Sequence, residues 1–501
     1  PRPSLFEFLL HTHHQTGDAK LLAMVEKTLV SMADGGIHDQ LGGGFHRYST
    51  DAMWLVPHFE KMLYDNAQLA SAYIDAHRAT GNPRLAEVAA STLDYVRREM
   101  TDAAGGFYSA TDADSQSPEG HREEGIFFTW TPAEIREILP PKLAETVIAA
   151  YAVTPTGNFE GRSILHTPRP LADVAASRNQ TVDQLKAELA EARAPLLVSR
   201  AKRTPPLRDD KIITSWNGLM ISAFAQGALY LDRATDRDQA VAAGQFVWDK
   251  LRTPEGRLYR NFHRGRAQHM GVLDDYACVI QGYLDLLSAT SDTVWLTRAI
   301  ELQATVEAQF ADPQTGAYFL TANDAETLLT RERPSHDGAE PSGNSVTARN
   351  LLRLATLTGD SSYQDRAHTL LAAFSQDLAQ GASLTKMLAA LGTTLGRPVE
   401  VFIVSPQAGD PAPLLAKFRT VFLPDVAVFV TAEGAQQTAA AAVLPGLADR
   451  GVKQGKPTAF VCEQGRCLLP TTDPEQFEQQ LRSFQGTAKT PPPSTAKTPP
   501  I

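Results

Sequence analysis

The densest run of chemically capable residues is Asp39–Asp65, DQLGGGFHRYSTDAMWLVPHFEKMLYD. It gathers His46, Arg47, Trp54, His58, Glu60, Tyr64 and Asp65. The pattern predicts a helix from near Pro57 to about Thr80, with proline in its first turn. On that helix His58, Lys61 or Met62, and Asp65 share one face by i, i+3/i+4, i+7 spacing. Glu60 and Tyr64 share a neighbouring face. First-turn N–H groups and the helix dipole beside His58 favour an anion or a negative partner. An imidazole with carboxylates nearby is general acid/base equipment. The plainer alternative is that Glu60–Lys61 and His58–Asp65 merely tie helices together. The aromatic and basic residues in the same stretch tip the reading towards a site.

Four further clusters follow. Ser109–Ser115 carries Asp112 and Asp114, with Glu123-Glu124 downstream. Asp-x-Asp suits a hard cation, but the calcium-loop pattern is incomplete, so no metal is expected. A carboxylate pair near a sugar and plain loop capping are the other readings. Arg208–Gly218 places Lys211, Trp216 and Asn217 at the start of an apolar helix. Asn217 suits a cap, and Trp216 either a platform for a sugar face or core filling. Gly271–Ala277 opens another helix with Asp274 and Asp275, and one cap does not need both. Arg333–Ser345 puts His336, Asp337 and Glu340 ahead of a helix. Turn and cap chemistry explains Ser342 and Asn344 there, but not Asp337 or Glu340.

The elements that must hold these residues are mostly helices. Apolar periodicity marks the stretch from Leu21 to Leu29 and Leu85–Met100, besides the helix from Pro57. Later helices are expected at Val182–Arg200, Trp216–Leu231, Gln239–Leu251, Asp274–Ala289, Thr293–Phe310, Asn344–Thr358, Ser362–Leu378 and Leu384–Leu395. The loops repeat: Gly43-Gly44-Phe45-His46-Arg47, Gly105-Gly106-Phe107-Tyr108-Ser109, Gly256-Arg257-Leu258-Tyr259-Arg260 and Gly316-Ala317-Tyr318-Phe319-Leu320. Repeated helix pairs mean a solenoid or a closed α/α toroid. Short turns alternating with long polar loops favour the toroid. It would bring the chemically rich helix starts around one rim, where long loops on a rigid scaffold build sites.

Past Arg397 the pattern changes. Val399–Val404, Val426–Val430 and Thr458–Cys462 read as strands, the last turning at Gln464-Gly465 into Cys467–Leu469. Helices are expected at Pro411–Phe418 and Pro474–Phe484. The expected organisation is an (α/α)6 toroid over 1–397, a small α/β domain over 398–485 and a disordered Pro-rich tail over 486–501. Cys462 and Cys467 lack His partners for zinc and the C-x-x-C spacing of redox catalysis, and read as a hairpin pair.

Composition sets the outer bounds. The chain has 501 residues, 47 basic and 57 acidic, for a net charge of −10. That balance argues against a nucleic-acid scaffold, which needs a basic face. Mean hydropathy is −0.23, and no apolar run of about 18 residues suggests a membrane span. Three cysteines make no disulfide framework, so a reducing, cytoplasmic setting is expected. The chain opens on Pro1 within a helical pattern, so earlier sequence is expected to have been removed.

The strings GGGFHRYSTDAMWLVPHFEKMLYDNAQL (42–69), YSATDADS (108–115), KIITSWNGLM (211–220), LDDYA (273–277) and DGAEPSGNS (337–345) together resemble the spermatogenesis-associated protein 20 / YyaL-like family of thioredoxin-domain-containing proteins. The resemblance covers about residues 1 to 470. It implies a thioredoxin-like domain ahead of the matched span, absent from this sequence. It also implies a six-hairpin toroid like those of glycosidases and the N-acylglucosamine 2-epimerase group, and carbohydrate handling. The leading expectation is a sugar epimerase or isomerase without cofactor. His58 and His336 would serve as base and acid, with Asp275 and Glu340 beside them and Asp274 among the orienting groups. A glycoside hydrolase would instead use two carboxylates drawn from Asp112, Asp114, Asp275 and Glu340. A non-catalytic toroid presenting sugars or clients to a thioredoxin-like partner is the third reading. A His at the centre of the site favours the first, and a carboxylate pair without His favours the second.

Overall fold

The computed structural model describes residues 1–117, 120–381, 383–396, 398–463 and 466–485. Arg397, the turn expected at Gln464-Gly465 and the Pro-rich segment 486–501 expected to be disordered lie outside the described residues.

Among the described residues, six helices close an inner ring. They are Pro3–Thr16, Leu63–Thr80, Thr214–Tyr230, Leu273–Thr290, Gly343–Thr358 and Thr385–Leu395, each packed on the next and the last on the first. Outer helices Ala19–Asp34, Pro83–Glu99, Ala234–Lys250, Val294–Phe310 and Ser361–Ala373 back the first five. This is the (α/α)6 toroid. Inner helices such as Leu273–Thr290 are buried on almost every side, as a helix that is apolar all round must be. An outer helix such as Ala19–Asp34 buries one stripe, Val25, Leu29, Met32 and Ala33. Two inner helices meet at backbone distance. A Cβ on Gly218 would stand 2.4 Å from the Cys278 carbonyl carbon, so only glycine fits there.

The repeated loops have a mechanical meaning. Phe45, Phe107, Leu258 and Tyr318 each form a β-bridge to the segment that follows the preceding outer helix, with His38, Thr101, Arg252 and Ala311. The next inner helix then clamps that residue. Asn66 accepts the Phe45 N–H at 2.7 Å and donates to its carbonyl at 3.1 Å. Asn217 does the same to Phe107 at 2.8 and 3.0 Å, and Asn344 to Tyr318 at 2.9 and 3.0 Å. In the third copy the Tyr276 hydroxyl accepts the Leu258 N–H at 2.8 Å.

The helix expected from Pro57 begins at Leu63 instead. Pro57–His58 and Lys61–Met62 are short strands, pairing with Tyr48–Ser49 and Ala110–Thr111. Residues 57–62 alternate between buried and half-buried, which is the period of a strand and not of a helix. Phe59 and Lys61 both point inward, and Lys61 donates to Asp39 at 2.9 Å and to the Gly43 carbonyl at 2.8 Å. Arg200 donates to both Asp39 oxygens at 3.0 and 2.9 Å, so a buried ion triad fixes this stretch.

Between the second and third hairpins the chain inserts Pro132–Ile138, Pro141–Ala150, Leu171–Ser177 and Val182–Arg200. They share apolar clusters of their own, around Trp130, Ile135, Val147 and Leu196, and around Val174 and Leu185. Sequence periodicity had signalled only the last of these helices.

After the sixth inner helix comes a four-stranded sheet, ordered Ala427–Ala432, Val399–Ser405, Thr458–Glu463, Arg466–Cys467. The first pair is parallel and the others antiparallel. One face (Val401, Ile403, Val461) packs with Phe418 and Phe477, and the other (Phe402, Val404, Phe460) joins the toroid core. Cys462 and Cys467 lie opposite each other and form a disulfide. No helix among the described residues is long and apolar enough to cross a membrane.

Candidate functional site

The inner helices all start at one end of the ring. Ser4 and Thr385, at the starts of two of them, are joined at 2.8 Å. Carboxylates stitch other neighbouring starts together. Asp275 accepts the Ser215 N–H at 2.9 Å and the Val272 N–H at 2.9 Å. Asp274 accepts the Gly343 N–H at 2.9 Å. Asp337 accepts N–H groups from Ser342 and Lys386, each at 2.9 Å. The first-turn N–H groups that helices leave free are thus met by acids.

Inside this belt stands an aromatic and acidic cluster. Tyr64 and Trp216 make an edge contact at 4.8 Å between ring centroids. The Trp216 indole N–H donates to Glu340 at 2.5 Å, and Gln68 anchors the Glu340 loop through the Ala339 carbonyl at 2.7 Å. Glu340 still reaches solvent, but the walls around it raise its carboxyl, and the Asp275 charge adds to that. Burial pushes Asp65 up to about 7, with Glu340 adding, and leaves its Oδ2 without a partner. Burial also pushes Asp274 up to about 7, with Asp275 and Glu340 adding. Burial raises Tyr64 to about 12, and Asp65 pushes the same way. Arg260 ion-pairs with Asp275 at 3.1 Å and opposes the shifts of Asp274 and Glu340, while Arg47 opposes those of Asp65 and Tyr64. Below the rim the lumen narrows to a cavity of about 40 Å³ beside Glu7, Gln226 and Lys386. That is room for a water or two, so a larger ligand stays at the rim.

The structure brings together Tyr64, Asp65, Trp216, Asp274, Asp275 and Glu340. Asp275 and Asp337 are fully occupied as caps in addition. Asn217 is a clamp on Phe107 and not a ligand-facing group. Arg47 bonds Glu60 at 2.8 Å and also interacts with Tyr64, so it edges the cluster. His58 belongs to an outer tier: its Nδ1 meets Glu124 at 2.8 Å, its Nε2 meets Glu60 at 3.2 Å, and it stacks on Tyr48. His336 is exposed, and among the described residues no hydrogen bond, ion pair or ring contact joins it to His58. His46 is buried against Phe59 and Phe128 with Nδ1 on the Phe59 carbonyl, and burial lowers it to about 3. Trp54 packs beside Gly35 in the outer wall. Asp112 and Asp114 pair with Arg122 at 2.8 and 3.5 Å, and Lys211 with Asp209 at 2.9 Å. Among the described residues no group of acids, histidines and cysteines could hold a metal.

Arg260 was missed, although the repeat carries its signal. It lies two residues after the clamped Leu258, as Arg47 lies two after Phe45, and both arginines meet rim acids. Glu124 was flagged only beside Asp112 and Asp114, and its pairing with His58 gave no signal, since the strand pairing Asp114–Gln116 with Arg122–Glu124 delivers it.

Fold and site define a six-hairpin toroid with an aromatic, carboxylate-lined rim. No family model matches the sequence. The human spermatogenesis-associated protein 20 is 35% identical over 96% of this chain, and the mouse protein 34% identical over the same share. The chain spans 66% of the human protein's length and 65% of the mouse protein's, just under two thirds. Over that span it is similar to the spermatogenesis-associated protein 20 proteins. Among solved structures, a glycoside hydrolase family 76 mannosidase from Bacteroides thetaiotaomicron is 11% identical, with TM-score 0.45 over 78% of this chain and 85% of its own. A D-mannose isomerase is 12% identical, with TM-score 0.36 over 74% and 97%.

Proposed function

We propose that the toroid is a carbohydrate-active module that cleaves a glycosidic bond with carboxyl groups at its rim. The observation that carries this is the trio Asp65, Asp274 and Glu340. The first two are pushed to about 7, and both interact with Glu340. Among the described residues no imidazole bonds or ion-pairs with them, which favours carboxylate chemistry over the His pair expected first. A carboxyl titrating near neutrality gives a proton readily, and an ionised neighbour activates water or attacks carbon. Asp274 is assigned as the acid and Glu340 as its ionised partner. The proton passes from Asp274 to the glycosidic oxygen as the bond to the anomeric carbon breaks. Water supplies the new oxygen and leaves its proton on Glu340. Trp216 and Tyr64 offer apolar ring faces to a sugar, and Arg260 a donor to its hydroxyls.

An epimerase or isomerase is the second reading. Asp65 and Asp274, on separate inner helices, can take and return a proton beside a carbonyl. NMR of mono- and disaccharides incubated with the protein in deuterated water tests both. Loss of an anomeric linkage without deuterium on carbon is the expected result. Deuterium beside the carbonyl, with a new epimer or ketose, overturns hydrolysis for the second reading. No change in any sugar overturns both and leaves a binding module, with the thioredoxin-like domain of the family as its partner.

A further inference from the structure

We propose that the inserted helical segment holds a second binding site, for a small organic anion with an apolar body. Strand Asp114–Gln116, the turn at residues 125–130, helix Pro132–Ile138 and the end of helix Val182–Arg200 enclose a cavity of about 750 Å³. Ligand clefts run from about 300 to 1,000 Å³. Ile126, Phe127, Ile138, Pro195 and Val198 give it apolar walls, and none of the rim acids lines it.

The charge on the wall gives the occupant its sign. Arg162 and Arg203 share one carboxylate, Glu134, at 2.7 and 3.4 Å. Arg203 lies 4.1 Å over the Trp130 ring and otherwise bonds only backbone carbonyls. Burial draws its guanidinium down to about 10, as befits a cation short of counter-charge. With Lys202 and Glu137 also on the wall, three cations face two carboxylates. An anionic group beside Arg162 and Arg203, with an apolar tail along Ile138 and Val198, fits this lining.

The test is calorimetric titration of the whole chain with octanoate, octanol and octylammonium. Octanoate is expected to bind at least about tenfold tighter than either of the others. Val198 is 64% exposed at the mouth, so Val198→Trp fills the cavity without disturbing the core. It should weaken octanoate by about tenfold or more with an unchanged melting temperature. Equal binding of octanol or octylammonium overturns the anion. Octanoate binding untouched by Val198→Trp overturns the location, and absence of heat with all three overturns the site. None of these outcomes depends on sugar turnover at the rim.

Discussion

Asp274 is the residue on which the proposed chemistry and the stability of the rim meet. Its Oδ1 is bonded to the Gly343 N–H, while burial and the Asp275 charge push its carboxyl to about 7. An unfolded Asp titrates near 3.9. Between those values the folded state binds more protons than the unfolded one, so stability falls as pH rises from about 4 to about 7. Asp274→Asn keeps an oxygen acceptor and carries no charge. It should be more stable than the parent at pH 8 by about 1–3 kcal/mol, with the gain shrinking towards pH 5. Turnover should drop by about two orders of magnitude or more. Urea unfolding at the two pH values, beside the NMR assay, checks both halves. A gain independent of pH would show that the carboxyl is not held neutral. The sequence flagged both Asp274 and Asp275, and counted correctly that one cap could not use both. Which of them stays free to react was not legible, because the Ser215 and Gly343 N–H groups that divide the pair arrive from neighbouring helices. The burial of Lys61 was hidden for the same reason, since Arg200 lies 161 residues from the Asp39 they share.

At the scale of elements, side-chain clamps set the toroid's register. Asn66, Asn217 and Tyr276 each occupy the fourth position of an inner helix, and each bonds the backbone of the preceding loop. Asn217 meets three backbone groups: the Phe107 N–H, the Phe107 carbonyl and the Ile213 carbonyl. Asn217→Ala strands them in the core and should cost about 2–4 kcal/mol, read as a lower urea midpoint at unchanged slope. A variant within about 0.5 kcal/mol of the parent would mean that water replaces the amide and the clamp is dispensable. These elements were the most legible part of the fold. Helix Val182–Arg200 was placed to the residue, and the inner helices from Thr214 onward to within two residues at either end. Apolar helices in hairpins carry a strong period, and the loop repeat disclosed their closure. The segment Pro57–Met62 was misread because a proline followed by mixed residues suits a helix start as well as a strand. Only the inward turn of Phe59 and Lys61 decides between them. The helices Pro132–Ile138, Pro141–Ala150 and Leu171–Ser177 are short, and short elements give periodicity too few turns to register.

Over the whole molecule, the rim end is open and polar, while the opposite end is closed by the sheet unit. The segment Val421–Asp425 plugs it: Arg78 donates to the Val421 carbonyl at 2.9 Å and Arg349 to the Pro424 carbonyl at 3.2 Å. Asp425 accepts from Thr393 at 2.8 Å and lies 3.5 Å from Arg349. Arg349 and Lys386 also hold Glu7, the latter at 2.8 Å. A line of buried charge thus runs down the lumen and ties the inner helices to the sheet. Burial alone would raise both acids, but the cations overrule it. Lys386 and Arg349 bring Glu7 down to about 2, and His11 and Arg349 bring Asp425 below its usual range. Unfolded carboxyls titrate near 4, so in acid the unfolded chain binds the extra protons. This contribution is whole above about pH 5 and is lost as pH falls towards 2. Hydrogen exchange at pH 3 should therefore open Val399–Ser405 and Val421–Asp425 while Leu273–Thr290, buried on nearly all sides, stays protected. Asp425→Asn should open the same segments at pH 7, costing about 1–3 kcal/mol, because Arg349 is then left with Glu7 as its counter-charge. It should also flatten the acid dependence of the sheet unit. If sheet and inner ring instead lost protection together at every pH, the junction would be no weaker than the core, and the buried charges would be holding nothing that apolar packing does not already hold.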